Sequence, residues 1–273
     1  MLVLEVSLQS HLTLGQVNLV VLGLLCLFLR AHVAGRRGAA SVWLSAAMAT
    51  KLTPLVLLVS LGRERRYRTM LLTVGAFLVW TIVLPQVVST RVLWIYRDAW
   101  LGSVGQYVTE AVAFGRATRF TLAAALAYVW PGVTAVPGYR LLAAAVVLAP
   151  ILWLQGRLGS RVRPRLLVFG LYLLATLLIS PLSETHHLVA LAVPLWLWSL
   201  AAADSRPSWK LDGVGAAVFV VCHWVAVWNR ASLMDFLAIV ALYVVLFVRA
   251  LRPDFGRVSA RPLAVDVSGG AHA

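Results

Sequence analysis

The chain has 273 residues, 61% of them apolar and only 12% charged, with 24 Lys and Arg against 10 Asp and Glu. A soluble globular domain is about 45–50% apolar and about 25% charged, so this composition excludes an ordinary soluble enzyme. The net charge of +14 leaves two classes open, a nucleic-acid binder and a helical membrane protein, and the positions of the basic residues must decide between them.

Residues 1–10 contain no basic start followed by a long apolar stretch, so no cleavable signal is expected. A spanning helix needs about 20 mostly apolar residues, and candidate runs fall at 15–29, 69–87, 137–154, 166–182, 187–203, 211–228 and 232–248. The expected fold is all-α, a polytopic helical membrane protein of about seven crossings plus one re-entrant hairpin. A single transmembrane domain covers 1–251 with an outer loop at 88–137, and residues 252–273 form a disordered cytoplasmic tail.

Four arginine clusters separate the runs: Arg30, Arg36 and Arg37; Arg63, Arg65, Arg66 and Arg68; Arg157, Arg161, Arg163 and Arg165; Arg249, Arg252, Arg257 and Arg261. Basic residues close to helix ends mark the cytoplasmic side. The run 39–61 lies between two such clusters, so a single crossing would send one of them outside. Lys51-Leu52-Thr53-Pro54 interrupts its middle, and proline removes a backbone donor while disfavouring helix just before it. A re-entrant hairpin broken near Thr53 keeps both clusters on one side. With Arg206 and Lys210, that side then holds 17 of the 24 basic residues, against 7 outside. The charge is therefore a topology signal with some attraction to anionic lipid, and no nucleic-acid partner is expected. The corollary is that residues 1–14 lie outside with nothing upstream to carry them across, which leads us to expect further helices before Met1.

The outer segment alternates aromatic and charged residues: Arg91, Trp94, Tyr96, Arg97, Asp98, Trp100, Tyr107, Glu110, Arg116 and Arg119. It is expected to lie along the interface. Its 120–130 stretch is apolar but too short to span, and should form a half-buried or re-entrant helix ended by Trp130-Pro131-Gly132. Cys26 and Cys222, each inside an apolar run, read as small core residues.

Four groups place polar side chains where lipid penalises them. Gln16 and Asn18, at the outer end of the first run, can hydrogen-bond a sugar or join helices. Lys51, with Thr53 and Pro54, is a lone ammonium in a long uncharged run, for which a phosphate is the natural partner and snorkelling to the interface the plain alternative. Ser180-Pro181-Leu182-Ser183-Glu184-Thr185-His186-His187 sets an acid beside two imidazoles, suited to acid catalysis, to hydrogen-bonding a pyranose or to facing a phosphate. Adjacent histidines on a helix diverge by about 100 degrees, which disfavours a metal pair. The arginines and aromatics of the outer loop either seat an anionic, glycosylated acceptor or anchor the interface. His32 and His223 stand alone and read as structural. No Walker loop, dinucleotide fingerprint, nucleophile elbow or zinc motif occurs, and we expect neither cofactor nor metal.

The order Gly15-Gln16-Val17-Asn18, a basic turn, Ala49-Thr50-Lys51-Leu52-Thr53-Pro54, a second arginine cluster, and then Ser180-Pro181-Leu182-Ser183 with His186-His187 resembles glycosyltransferase family 87. These are GT-C fold membrane enzymes that include actinobacterial polyprenyl-phosphate-mannose-dependent mannosyltransferases. The resemblance covers about residues 14–200. It implies inverting transfer of mannose from a polyprenyl phosphate donor to a lipid-linked glycan on the outer face of the cytoplasmic membrane. It further implies that Lys51 and Arg91 face the donor phosphate, and that Gln16, Asn18, Glu184, His186 and His187 line the sugar and acceptor cavity. The implied partners are the polyprenyl phosphate sugar, a glycolipid acceptor and membrane lipid, at a multi-pass location in the cell membrane.

There are two departures. The family's catalytic aspartate follows a first helix that would lie upstream of Met1, which leaves the base unassigned and Glu184 as the stand-in. Where family members often show Asn-Gln-Ser in the later outer loop, this chain reads Gly105-Gln106-Tyr107. Two alternatives remain beside the enzyme: a non-catalytic remnant or polyprenyl-lipid-binding membrane subunit, and a transporter, which the lack of matching broken helices in two halves disfavours.

Overall fold

The computed structural model describes residues 18–84, 87, 121–158, 162–180, 188, 190–204, 209–229 and 232–252. Every described element is helical. The terminal tail expected at 252–273 falls outside these residues beyond position 252, as does most of the outer loop.

Helix α1 (Asn18–Val33) ends in a Schellman turn, in which Gly35 adopts φ +70 while the Arg36 and Gly35 N–H groups donate to Ala31 O and His32 O. Helix α2 (Arg37–Thr50) packs extensively along α1. The chain breaks at Lys51, resumes as a short 3-10 turn (Thr53–Leu55) and continues into α3 (Val56–Arg63). A second turn of the same kind closes α3, this time with Arg65 at φ +56 and Arg66 N–H donating to Leu61 O. Helix α4 (Tyr67–Leu78) follows and runs into a π turn (Val79–Val83).

The two turns lie together. Arg66 Nη1 donates to His32 O at 3.3 Å, and Ser41 Oγ, near the start of α2, donates to Thr69 O, near the start of α4, at 3.1 Å. The chain therefore leaves this end through α2, about 21 Å of helix, and returns through α3, so the segment expected as a hairpin does fold back on itself.

Helix α5 (Leu122–Val129) is the short helix anticipated from the sequence. Thr121 Oγ1 caps it by accepting from Ala124 N–H at 3.1 Å, and Trp130-Pro131 ends it, opening a 3-10 turn (Pro131–Ala135). Helices α6 (Tyr139–Leu158), α7 (Val162–Ile179), α8 (Ala192–Asp204), α9 (Trp209–Asn229) and α10 (Ser232–Leu251) complete the bundle.

Helix α7 is its axis. Leu171, Tyr172, Leu174 and Ala175 have no exposure, and α3, α6, α8 and α10 surround the helix. Gly170 lets Leu197 of α8 and Leu246 of α10 close against it. Among the described residues, α6 and the segment Leu233–Leu251 are each long and apolar enough to cross a membrane, while the other apolar helices are shorter. The outward faces are apolar: Leu71 is 67% exposed and Leu141 76%, whereas Arg249 is wholly buried. That polarity is inverted relative to a water-soluble bundle.

Two details depart from the sequence reading. Cys26 faces outward and is not a core residue, while Cys222 is half-buried against the core. The run at 187–203 becomes α-helix only from Ala192, with residues 188, 190 and 191 in 3-10 conformation.

Candidate functional site

The break between α2 and α3 places Lys51. Thr50 ends the helix, Lys51 takes an extended backbone (φ −157, ψ 134), and its own N–H still donates to Ala47 O at 2.9 Å. Pro54, buried within the first turn of the 3-10 segment, needs no N–H there and keeps the break from healing into one helix. The side chain then reaches α1, where Lys51 Nζ donates to Asn18 Oδ1 at 2.7 Å. Asn18 is buried and Lys51 half-buried, so this charge-assisted bond lies largely away from water.

A small cavity of about 40 Å³ opens beside the pair, lined by Asn18, Lys51, Thr53, Pro54, Thr176 and Ser180 together with leucines of α1 and α7. Three of the four polar groups singled out in the sequence thus meet through one member or more each. No carboxylate lines the cavity among the described residues. The arrangement offers one cation, an amide and hydroxyls in an apolar wall, a set suited to an oxyanion with sugar hydroxyls attached. Gln16, Arg91, Glu184, His186 and His187 lie outside the described residues.

A second polar cluster sits at the opposite, basic end of α1, about 21 Å along the helix from Asn18. Here Glu64, in the turn after α3, receives His32 Nε2 at 3.1 Å and Arg66 Nε at 3.0 Å on its Oε2. Its Oε1 accepts from Gln155 Nε2 at 3.4 Å. Gln155 Nε2 also donates to Ser60, and Gln155 Oε1 accepts from Tyr172 OH at 2.8 Å, so the network runs from the turn into the bundle axis. Burial pushes the Glu64 carboxyl up, but its contact with His32 and the charges of His32, Arg165 and Arg66 outweigh burial and leave it below its ordinary value.

Sequence reasoning missed this cluster because Glu64 is embedded among Arg63, Arg65, Arg66 and Arg68 and reads as part of a basic turn. His32 and His223 do have structural partners, in keeping with the sequence reading. His223 Nδ1 lies 3.0 Å from Asp235 Oδ1 between α9 and α10. Between the same two helices Arg249 makes a two-pronged pair with Asp212, which also accepts from Trp198 Nε1 at 3.0 Å. Among the described residues no group of His, Cys, Asp and Glu could hold a metal ion.

A family model described as glycosyltransferase family 87 matches residues 1–181. The chain belongs to glycosyltransferase family 87. No curated protein and no solved structure matches it significantly. Family 87 is a family of membrane glycosyltransferases, enzymes that pass a sugar from a donor to an acceptor. In this family 87 chain the match takes in α1 to α7, and with them the Lys51 cavity and the Glu64 cluster, while α8, α9 and α10 lie beyond it.

Proposed function

We propose that this chain is a membrane mannosyltransferase that moves mannose from polyprenyl phosphate mannose to a lipid-linked glycan on the outer face of the cytoplasmic membrane. One observation carries the reading beyond family membership: Lys51 Nζ is held by Asn18 at 2.7 Å at the edge of a cavity with no carboxylate among its described lining residues. An ammonium fixed on the cavity wall beside the hydroxyls of Thr53 and Ser180 suits the phosphate of a sugar donor.

In the transfer, an acceptor hydroxyl oxygen bonds to the anomeric carbon as the bond from that carbon to the donor phosphate breaks, and its proton passes to water or to the departing phosphate. The phosphate leaves with the electron pair, and Lys51 offsets the charge that grows there. Asn18 fixes the ammonium, and Thr53 and Ser180 offer hydroxyls to the phosphate or sugar. We assign Arg91 to the same phosphate, and Gln16, Glu184, His186 and His187 to the sugar and acceptor side.

The proposal includes a multi-pass arrangement of about seven crossings. The α2–α3 hairpin enters from the cytoplasmic side with Lys51 at its outer tip. The apolar outward faces and the shared location of the turns at Gly35 and Arg65 support it.

Membranes containing the chain should pass label from polyprenyl phosphate mannose into a glycolipid, and His187→Ala should abolish that label. Equal labelling from a nucleotide mannose, with synthesis of the polyprenyl donor blocked, would overturn the donor class. Full transfer by His187→Ala would overturn the cavity assignment.

A further inference from the structure

At the basic end of the bundle two arginines are seated on the last turns of α6. Arg63, the final residue of α3, donates from Nε to Leu152 O at 3.2 Å. Its guanidinium then lies against Gly156, where an added Cβ would collide with it, so the missing side chain is what lets the group settle on the helix. Arg157 folds back over Trp153, its guanidinium carbon 4.3 Å from the ring centroid. Trp153 is in turn backed by Phe247 of α10, the rings stacking at 6.3 Å. The rows that carry these contacts, Leu152 with Gly156 and Trp153 with Arg157, are neighbours on the helix surface.

Both guanidinium groups are thus placed by neutral groups, a carbonyl and an indole, and neither has an acidic partner among the described residues. Glu64, next to Arg63 in the chain, is held instead by His32 and Arg66. Both arginines are exposed, and Arg63 engages the protein through Nε, which leaves its Nη donors for a ligand. Toward the middle of α6 the same surface turns apolar, with Trp153 46% exposed and Ala149, Val146 and Leu142 exposed in succession. A ligand matching both parts carries a phosphate at one end and a long hydrocarbon chain at the other.

We infer that this face of α6 binds an anionic phospholipid of the phosphatidylglycerol type, its phosphate diester between Arg63 and Arg157 and an acyl chain along Trp153, Val146 and Leu142. The site rests on the membrane topology proposed above, which puts this end at the cytoplasmic leaflet, where anionic headgroups attract basic side chains. Phosphatidylcholine has the phosphate but also a cation, for which the patch offers no acid. The site differs from the diffuse pull of a basic surface in one respect: it depends on the shape of Gly156 as well as on charge.

The test titrates short-chain phosphatidylglycerol, short-chain phosphatidylcholine and the deacylated headgroup glycerophosphoglycerol into the detergent-solubilised full chain, with binding read from the shift in thermal unfolding. Phosphatidylglycerol should bind at least about fivefold more tightly than phosphatidylcholine. Arg157→Gln should weaken it about fivefold, the size of one basic contact at a membrane surface. Gly156→Ala changes no charge but displaces the Arg63 guanidinium, and should weaken it by a similar factor. Arg36→Gln removes an equal charge from the exposed turn after α1 and should cost less than about twofold.

Equal binding of the two lipids by the unmodified chain would overturn the site, as would a folded Gly156→Ala chain that keeps full affinity. Were Gly156→Ala not to fold, the other pair decides: equal losses from Arg157→Gln and Arg36→Gln would reduce the site to diffuse charge and overturn it. Stabilisation by glycerophosphoglycerol at the same concentrations would overturn a lipid as the occupant. A chain that does not reconstitute into vesicles of any composition would overturn the membrane placement and the site with it, whereas reconstitution without a phosphatidylglycerol preference overturns the site alone.

Discussion

Lys51→Met separates catalytic from structural work at the broken helix. Methionine keeps most of the reach of the lysine and loses its charge. The substitution removes the 2.7 Å bond to Asn18, which as a charge-assisted hydrogen bond contributes about 1.5–3 kcal/mol, less here because Lys51 is only half-buried. It also removes the cost of desolvating a half-buried ammonium, a term of opposite sign. The two nearly cancel, so the unfolding midpoint in detergent should move by no more than about 1 kcal/mol equivalent. Turnover should not be spared. A group that stabilises charge developing on a leaving oxygen is worth about 100- to 1000-fold in kcat, and Lys51→Met should lose that much mannose transfer in proteoliposomes, with a smaller change in KM. Transfer within about threefold of the unmodified chain, less than 1 kcal/mol of barrier, would refute the assignment of Lys51 to the phosphate.

Three further outcomes follow from the geometry. Asp212→Asn removes the charged Asp212 partner of the fully buried Arg249 and should cost up to about 3–5 kcal/mol, read by thermal unfolding; adding Arg249→Met should recover most of the loss, and no recovery would refute the pairing argument. Gly35→Ala places a Cβ at φ +70 in open space and should cost about 1 kcal/mol, whereas Arg65→Gly at φ +56 relieves the same strain and should be neutral or stabilising by a similar amount. Because the Glu64 carboxyl is held below its ordinary value, its contribution is fully present above about pH 4.3, the unfolded value, and is lost as pH falls through the folded one. The gap in midpoint between the unmodified chain and Glu64→Gln should therefore shrink on acidification below that pH, and a gap constant from pH 7 to pH 3 would refute the ion-pair account.

What could be read in the sequence was whatever a short stretch decides alone. Pro54 and Lys51 announce the interrupted helix, Trp130-Pro131 announces the end of α5, and the spacing of Arg36 and Arg66 predicts that the chain must turn back between them. Five members of the Lys51 cavity, Asn18, Lys51, Thr53, Pro54 and Ser180, were named before their proximity was visible, Asn18 and Lys51 because each is costly in lipid on its own. The Glu64 cluster was hidden for a different reason. Its chemistry arises only when α1 delivers His32 to a turn 32 residues later, and no local pattern records that. Nor could the sequence single out α7, because lipid is as apolar as a protein interior and a helix buried on all sides carries the same leucines as one facing acyl chains. His223 and Asp235 were likewise invisible as a pair until α9 and α10 were laid side by side.

The position of α7 affects how the family-matched region can be handled. Thr176, on its last turns, and Ser180, just beyond them, stand on the Lys51 cavity, yet the helix is gripped by α8 and α10, which lie outside residues 1–181. A chain cut after residue 181 would keep every described cavity residue but Ala190 and lose the clamp that holds Thr176 and Ser180 in register. The stretch by which the family is recognised thus shares its packing with helices that lie outside it. Substitutions at Leu197 or Leu246, which touch no substrate, should loosen the cavity from behind.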